Sequence, residues 1–519
     1  MELEKIQRIE AATWVNRQEI LRLGVSILFI VGIILYISSR GTVSPMLIVA
    51  GMIGGYMALN IGANDVANNV GPAVGSRALT LAGAIVIAAV FEASGALIAG
   101  GDVVSTIKKG IIDPANIQST EVFVWLMMAA LLAGALWLNV ATAIGAPVST
   151  THSIVGGVLG AGIAAGGWEV ANWDKMGQIA ASWIISPAIG GLIAAVFLYL
   201  MKRTITYKPD MLQAARRMVP IMVAIMALAF SSYLALKGLK KIWKFDVSTA
   251  LMIGAGVAIF VFAIAKPWVE RKSAKLSNDK QAVNSLFTTP LIFAAALLSF
   301  AHGANDVANS VGPLAAINDA LTTGGISTKA SIPLWVMMVG AVGISLGLAL
   351  YGPKLIRTVG SEITELDQMR AFCIALSAAI TVIIATQMGL PVSSTHIAVG
   401  AVFGVGFLRE YLKRNYSRVV EQIHLHHLGR DQSDVEKFLQ DFKTAALEDK
   451  RMMLQQLKDR TADAELTKKE RRGLKRVYHH ELVKRSALLK IAAAWIVTVP
   501  VSAILAAMLF FMIRGMMLP

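Results

Sequence analysis

Charge is what this sequence has least of. Asp, Glu, Lys and Arg make up 16% of its 519 residues, where an average soluble domain has about 25%. There is one cysteine, Cys373, which excludes an intrachain disulfide. No glycine-rich loop of the nucleotide-binding type occurs, so direct use of ATP is not expected. A cleavable signal peptide is not expected either, because the first 19 residues form a mixed-charge amphipathic segment and the first apolar run lies behind them. Acidic residues are the scarcer charge, 33 against 48 Lys and Arg, for a net +15. In a soluble protein that balance would suggest nucleic acid. The placement of the charges argues against it.

Apolar sequence fills the gap. Hydrophobic residues reach 55% and the mean hydropathy is +0.62, more than one soluble core can hide. Thirteen apolar stretches near the length needed to cross about 30 Å of hydrocarbon lie at 20–38, 46–64, 79–100, 122–143, 147–165, 179–200, 218–236, 247–265, 287–305, 332–352, 371–389, 391–408 and 487–513. Those starting at Pro147 and Pro391 follow their predecessors almost without a loop and read as broken or re-entrant helices. With a cytoplasmic N-terminus, the inside segments 1–19, 65–78, 201–217, 266–286, 353–370 and 409–486, with Arg22, hold 37 of the 48 basic residues, and the outside segments hold 10. That is the bias of the positive-inside rule. A multi-pass cell-membrane protein with no nucleic-acid partner is expected.

Internal repetition is the strongest signal. Residues 62–72 read GANDVANNVGP and residues 303–313 read GANDVANSVGP, identical at ten of eleven positions. Residues 147–152 read PVSTTH and residues 391–396 read PVSSTH. Gly156, Gly160 and Gly162 match Gly400, Gly404 and Gly406, and a weaker echo aligns Gly95, Gly100 and Thr106 with Gly347, Gly352 and Thr358. Seven stretches separate the first GAND from the second. An odd number puts them on opposite sides of the membrane, which makes the repeats inverted. The expected fold is an all-α polytopic membrane protein of two inverted-topology repeats with broken helices, about twelve core spans plus one extra N-terminal helix. Its parts are an N-terminal segment with the extra helix (1–45), a first repeat (46–200), connecting helices (201–286), a second repeat (287–408), a helical cytoplasmic insert (409–486) and a last helix (487–519) belonging to the second repeat. The insert contains two capping-box patterns, Ser433-x-x-Glu436 and Thr467-x-x-Glu470.

Asp65 and Asp306 end strongly apolar stretches. A carboxylate at membrane depth is costly unless paired or hydrated, and two copies in matching frames point to use. With Asn64, Asn68, Asn305 and Asn309, and with unwound backbone suggested by the flanking glycines, they offer hard oxygen ligands suited to a small hard cation. Pro147 and Pro391 suit the first turn of a half-helix. Ser149, Thr150 and Thr151, with Ser393, Ser394 and Thr395, then set hydroxyls beside free N–H groups at a positive helix end, an arrangement that binds anions. His152 and His396 are expected to pack. Glu92, mid-stretch opposite Ile344, is either a coupling group or a bond to a neighbouring helix. His424, His426 and His427 lack metal-ligand spacing, and the basic run Lys468–Arg476 reads as a solvated face or a contact with anionic lipid.

These duplicated motifs resemble those of the inorganic phosphate transporter (PiT) family, in its sodium-coupled branch, over about 46–408 and the last helix. The resemblance implies a secondary symporter, not an enzyme, that imports phosphate with sodium by alternating access. It implies phosphate contacts from Asn64, Ser149, Thr150, Thr151, Asn305, Ser393, Ser394 and Thr395, and sodium ligation by Asp65, Asn68, Asp306 and Asn309. Sodium is the coupling ion and no other cofactor is implied. Proton coupling, sulfate as substrate and an anion channel remain open, as does a homodimer. The helix at 20–38 and the insert at 409–486 depart from the family pattern.

Overall fold

The computed structural model describes residues 2–41, 43–146, 148–238, 243, 245–325, 332–362, 366–427 and 485–517. Described secondary structure is helical apart from one isolated bridge between Ile112 and Ala171. The helices are α1 (Glu2–Ser38), α2 (Pro45–Asn64), α3 (Ala67–Gly75), α4 (Leu81–Ala99), α5 (Gly101–Lys109), α6 (Thr120–Ile144), α7 (Thr150–Gly166), α8 (Trp173–Met201), α9 (Met211–Tyr233), α10 (Val247–Ser273), α11 (Lys280–Leu286), α12 (Thr288–Asp306), α13 (Ala308–Thr323), α14 (Leu334–Glu362), α15 (Gln368–Gln387), α16 (Ser394–His427) and α17 (Arg485–Met517).

Eleven helical stretches among the described residues are long and apolar enough to cross a membrane, and the chain is a multi-pass membrane protein. The two further expected stretches are α7 and the start of α16. Both lie buried inside the protein rather than against lipid, as broken half-helices should. Regular helix is obligatory at that depth because no water is there to satisfy loose backbone groups.

The halves α2–α8 and α12–α17 pack reciprocally. Helix α2 lies against α14 and α12 against α4; α7 lies against α17 and α16 against α8. Glycine makes these approaches possible. A Cβ on Gly62 would stand 1.9 Å from the Ile344 carbonyl oxygen, and one on Gly303 would stand 2.1 Å from that of Glu92. The partner glycines repeat the pattern: Gly347 meets the Leu59 carbonyl and Gly95 that of Phe300. Backbone touches backbone at equivalent places in both halves, the small-residue packing that membrane helices favour. Outside this body, α1 sets Ile33 and Ile37 against Gly55 and Gly51 of α2.

Four local expectations change. The segments that follow the two GAND motifs lie between expected spans, yet most of 65–78 is α3 and residues 308–323 are α13. Their polar side chains face protein, so they need no water. The joints are tight bends at Asp65–Val66 and at Val307, with φ and ψ still near helical values, rather than unwound backbone. Pro391 precedes α16 by three residues and is not in its first turn; Pro147 lies outside the described residues. Finally, α16 continues to His427, past the expected end at 408. The capping boxes at Ser433 and Thr467 and the run Lys468–Arg476 lie outside the described residues.

Candidate functional site

The sequence builds the same local device twice. Ser149 caps α7, its hydroxyl accepting from the His152 N–H at 3.1 Å, and Ser393 does the same for His396 at 3.2 Å. Capping of this kind fixes where a helix begins. Asn64 and Asn305 fasten the segment just before each half-helix. Asn64 Oδ1 accepts from Val148 N (3.2 Å) while its Nδ2 donates to Thr142 Oγ1 and the Ala146 carbonyl. Asn305 Oδ1 accepts from Val392 N (3.4 Å) while its Nδ2 donates to Thr386 Oγ1 and the Leu390 carbonyl. Both amides are committed to protein, so their visible work is to hold the half-helix ends rather than to face a ligand.

Those ends meet the two aspartates. Thr150 Oγ1 donates to Asp65 Oδ2 at 2.6 Å and Ser394 Oγ to Asp306 Oδ2 at 2.8 Å. The halves also interlock. Thr395 Oγ1 reaches across to Asp65 Oδ1 at 3.1 Å, Asn68 Nδ2 donates to Thr395 Oγ1 at 2.8 Å, and Asn309 Nδ2 donates to Thr150 and Thr151 Oγ1 at 3.0 and 3.2 Å. Thr151 Oγ1 donates to the Val392 carbonyl at 2.9 Å. All the expected residues from 64–68, 149–151, 305–309 and 393–395 therefore gather in one buried place, between elements far apart in the chain. The hydroxyl hydrogens of Thr150, Thr151, Ser394 and Thr395 are directed here at carboxylates and a carbonyl, whereas Ser149 and Ser393 accept from backbone N–H groups.

Among the buried oxygens here without a partner are Asn68 Oδ1, Asn309 Oδ1 and Asp306 Oδ1. Orphaned buried acceptors are rare and call for an explanation. Oxygen donors with carboxylate charge nearby are what a small hard cation takes.

Two residues of this site, His302 and Asn69, are not among those the sequence singled out. His302 Nδ1 lies 2.7 Å from Glu92 Oε2, and its Nε2 lies 2.9 Å from Asp306 Oδ2, off the line of the ring N–H. Glu92 Oε1 accepts from Asn69 Nδ2 at 2.8 Å. Asp65, His302 and Asp306 bring one ligand atom each within 4.8 Å of one another. The chain Asn69–Glu92–His302–Asp306 has no copy in the other half, where the equivalent positions are Ser310, Ile344 and Ile61. The sequence signal for His302 is a histidine just ahead of the second GAND where the first has isoleucine. His152 and His396 pack as expected, edge to face at 4.4 Å, each against a tryptophan, Trp183 and Trp495. The histidines 424, 426 and 427 end α16, away from this site in sequence.

Comparison with known proteins agrees with this architecture. A sequence model of the phosphate transporter family matches residues 61–506. A putative phosphate permease of Helicobacter pylori strain J99 is 55% identical over 523 residues, covering 98% of each chain. A putative phosphate permease of Pyrococcus abyssi is 39% identical over 365 residues, 70% of this chain and 89% of its own. A solved structure described as the sodium-dependent phosphate transporter is similar at a TM-score of 0.73 and 31% identity, covering 92% of this chain and all of that one. The duplicated motifs, the reciprocal halves and these matches make the chain a member of the phosphate transporter family.

Proposed function

We propose that this protein is a secondary transporter that brings inorganic phosphate into the cell with sodium. The carrying observation is the set of partnerless buried oxygens, Asn68 Oδ1, Asn309 Oδ1 and Asp306 Oδ1, beside Asp65 and between two half-helix starts. Sodium would be held by Asp65, Asn68, Asp306 and Asn309, whose donors are the oxygens such an ion prefers. Phosphate would be met by the hydroxyls and N–H groups of Ser149, Thr150, Thr151, Ser393, Ser394 and Thr395, at positive helix ends. Asn64 and Asn305 hold those ends in place. Two sets of anion donors from opposed halves suit alternating access, since the site can stay put while the halves rock about it. The similar solved structure, by its description sodium-dependent, supports sodium as the coupling ion. The lysine and arginine bias supports a cytoplasmic N-terminus and a cytoplasmic 409–486 insert.

One observation favours a second reading. The chain Glu92–His302–Asp306 can hold a proton, and in this reading a proton takes the place of sodium in the cycle. Phosphate uptake into proteoliposomes, with sodium and pH gradients imposed separately, tests both. Uptake driven by sodium alone supports the first reading and uptake needing the pH gradient supports the second. No uptake under either gradient by correctly inserted protein rejects transport.

A further inference from the structure

A basic cavity lies at the far end of the molecule's second half from the transport site. It is open to solvent, spans about 450 Å³ with the solvent at its mouth included, and has as its polar lining Lys202, Thr206, Lys280, Asn284, Asp367 and Arg370. These come from the π-helical turn that extends α8 (Lys202–Thr206), from α11 and from the start of α15. Met369, also in the wall, is 17 residues along α15 from Thr386, the partner of Asn305. At 1.5 Å per residue the cavity is about 25 Å from that partner.

Three cations face one carboxylate. Asp367 is already committed, accepting from Arg370 N at 2.9 Å as the cap of α15 and lying 3.3 Å from Arg370 Nε. Lys202 sits over the Tyr207 ring at 5.8 Å, and Arg370, Lys280 and Arg409 all act on it electrostatically. Like charges gathered in a partly enclosed space destabilise one another unless an anion joins them. These four cations come from four separate segments, 201–217, 266–286, 353–370 and 409–486, each of which the charge bias places in the cytoplasm. Beside the mouth, Tyr199, Leu200 and Tyr207 are exposed, an apolar and aromatic surface suited to the lipid interface. Basic pockets of this kind between membrane helices bind phosphate-bearing head groups.

The geometry points to a second anion site, distinct from the transport site, that takes a phosphate-bearing anion at the cytoplasmic face: an anionic lipid headgroup or free phosphate. The site joins α8 of the first half, the connecting α9 and α11, and α15 of the second, so its occupant braces both halves. It does not depend on the transport reading.

The test uses the full chain and two variants, Lys202→Gln/Lys280→Gln and Lys202→Arg/Lys280→Arg. Cardiolipin or phosphatidylglycerol added to the solubilised protein is read as bound lipid by native mass spectrometry, with phosphatidylcholine as reference. Inorganic phosphate is read by thermal shift in an Asp65→Asn/Asp306→Asn background. Retention of anionic lipid that falls at least tenfold in the Gln variant and survives in the Arg variant assigns a lipid. A phosphate-induced shift that disappears with the Gln change assigns free phosphate. If neither lipid retention nor the phosphate shift differs between the parent and the Gln variant, the proposal is overturned.

Discussion

Thr395 Oγ1, at the start of α16, donates a 3.1 Å hydrogen bond to Asp65 Oδ1 in the opposite half. The equivalent hydroxyl, Thr151, goes to the Val392 carbonyl instead, and Asp306 has His302 beside it at 2.9 Å. The two aspartates thus share a motif and a depth but not a partner. Asp65 is steadied by hydroxyls from both halves, so a movement that parts the halves at this point breaks its bond to Thr395. Four predictions follow from this arrangement and from the packing around it.

Asp65→Asn and Asp306→Asn each keep the side-chain shape and remove a charge. Sodium-driven phosphate uptake is expected to fall at least tenfold in each, equivalent to about 1.4 kcal/mol or more. The unfolding temperature should change little. Uptake within twofold of the parent would remove these residues from the coupling site.

His302→Ala leaves Glu92 buried at 1% exposure with only Asn69 to bond. Leaving a buried polar group without its partner costs about 1–3 kcal/mol, more for a charged one, and thermal unfolding of purified protein should show it. The double change Glu92→Ile/His302→Ile installs the residues that the other half carries at Ile344 and Ile61. It should recover most of the lost stability while uptake stays impaired. Recovery of uptake together with stability would show the chain to be structural only.

Lys108 Nζ bonds Asp319 Oδ2 at 2.9 Å, tying α5 of the first half to α13 of the second, with both side chains largely buried. Asp319→Asn alone should destabilise by about 3–5 kcal/mol, because it strands the lysine charge, whereas Lys108→Met/Asp319→Leu should come close to neutral. A chemical-denaturation series on the two variants separates these outcomes.

Gly62→Val and Gly303→Val place side chains where carbonyls of the facing helices already stand, about 2 Å away. The helices must separate, and overpacking of this kind costs about 1–3 kcal/mol or more. Folded yield after solubilisation should fall sharply for both. The same change at Gly177, which has open space around it, should leave yield unaltered.

Much of this was readable beforehand for physical reasons. Two near-identical copies of an eleven-residue motif, each followed by a PVS(T/S)TH segment, constrain a site far more than one copy could, and the motif residues do converge. The long apolar stretches report spans because lipid leaves backbone no alternative to helix. His302 was missed for the opposite reason. A search for repetition finds what the halves share, and the chain Asn69–Glu92–His302–Asp306 exists only where they differ. Helices α3 and α13 were missed because polar sequence reads as loop when neighbours are unknown. Asn68 and Asn309 are polar on helices because they face one another's half, and Asn69 because it bonds Glu92, not because they meet water. The extension of α16 past Arg409 was hidden by its charge, which ends an apolar stretch without ending a helix.

The central claim is best tested by radiolabelled phosphate uptake into proteoliposomes carrying an inward sodium gradient at equal pH on both sides. Uptake is expected to exceed the level without the gradient several-fold, to collapse when sodium is equalised, and to be lost in Asp65→Asn. Phosphate flux that is unchanged by the sodium gradient and unaffected by that substitution would contradict the account.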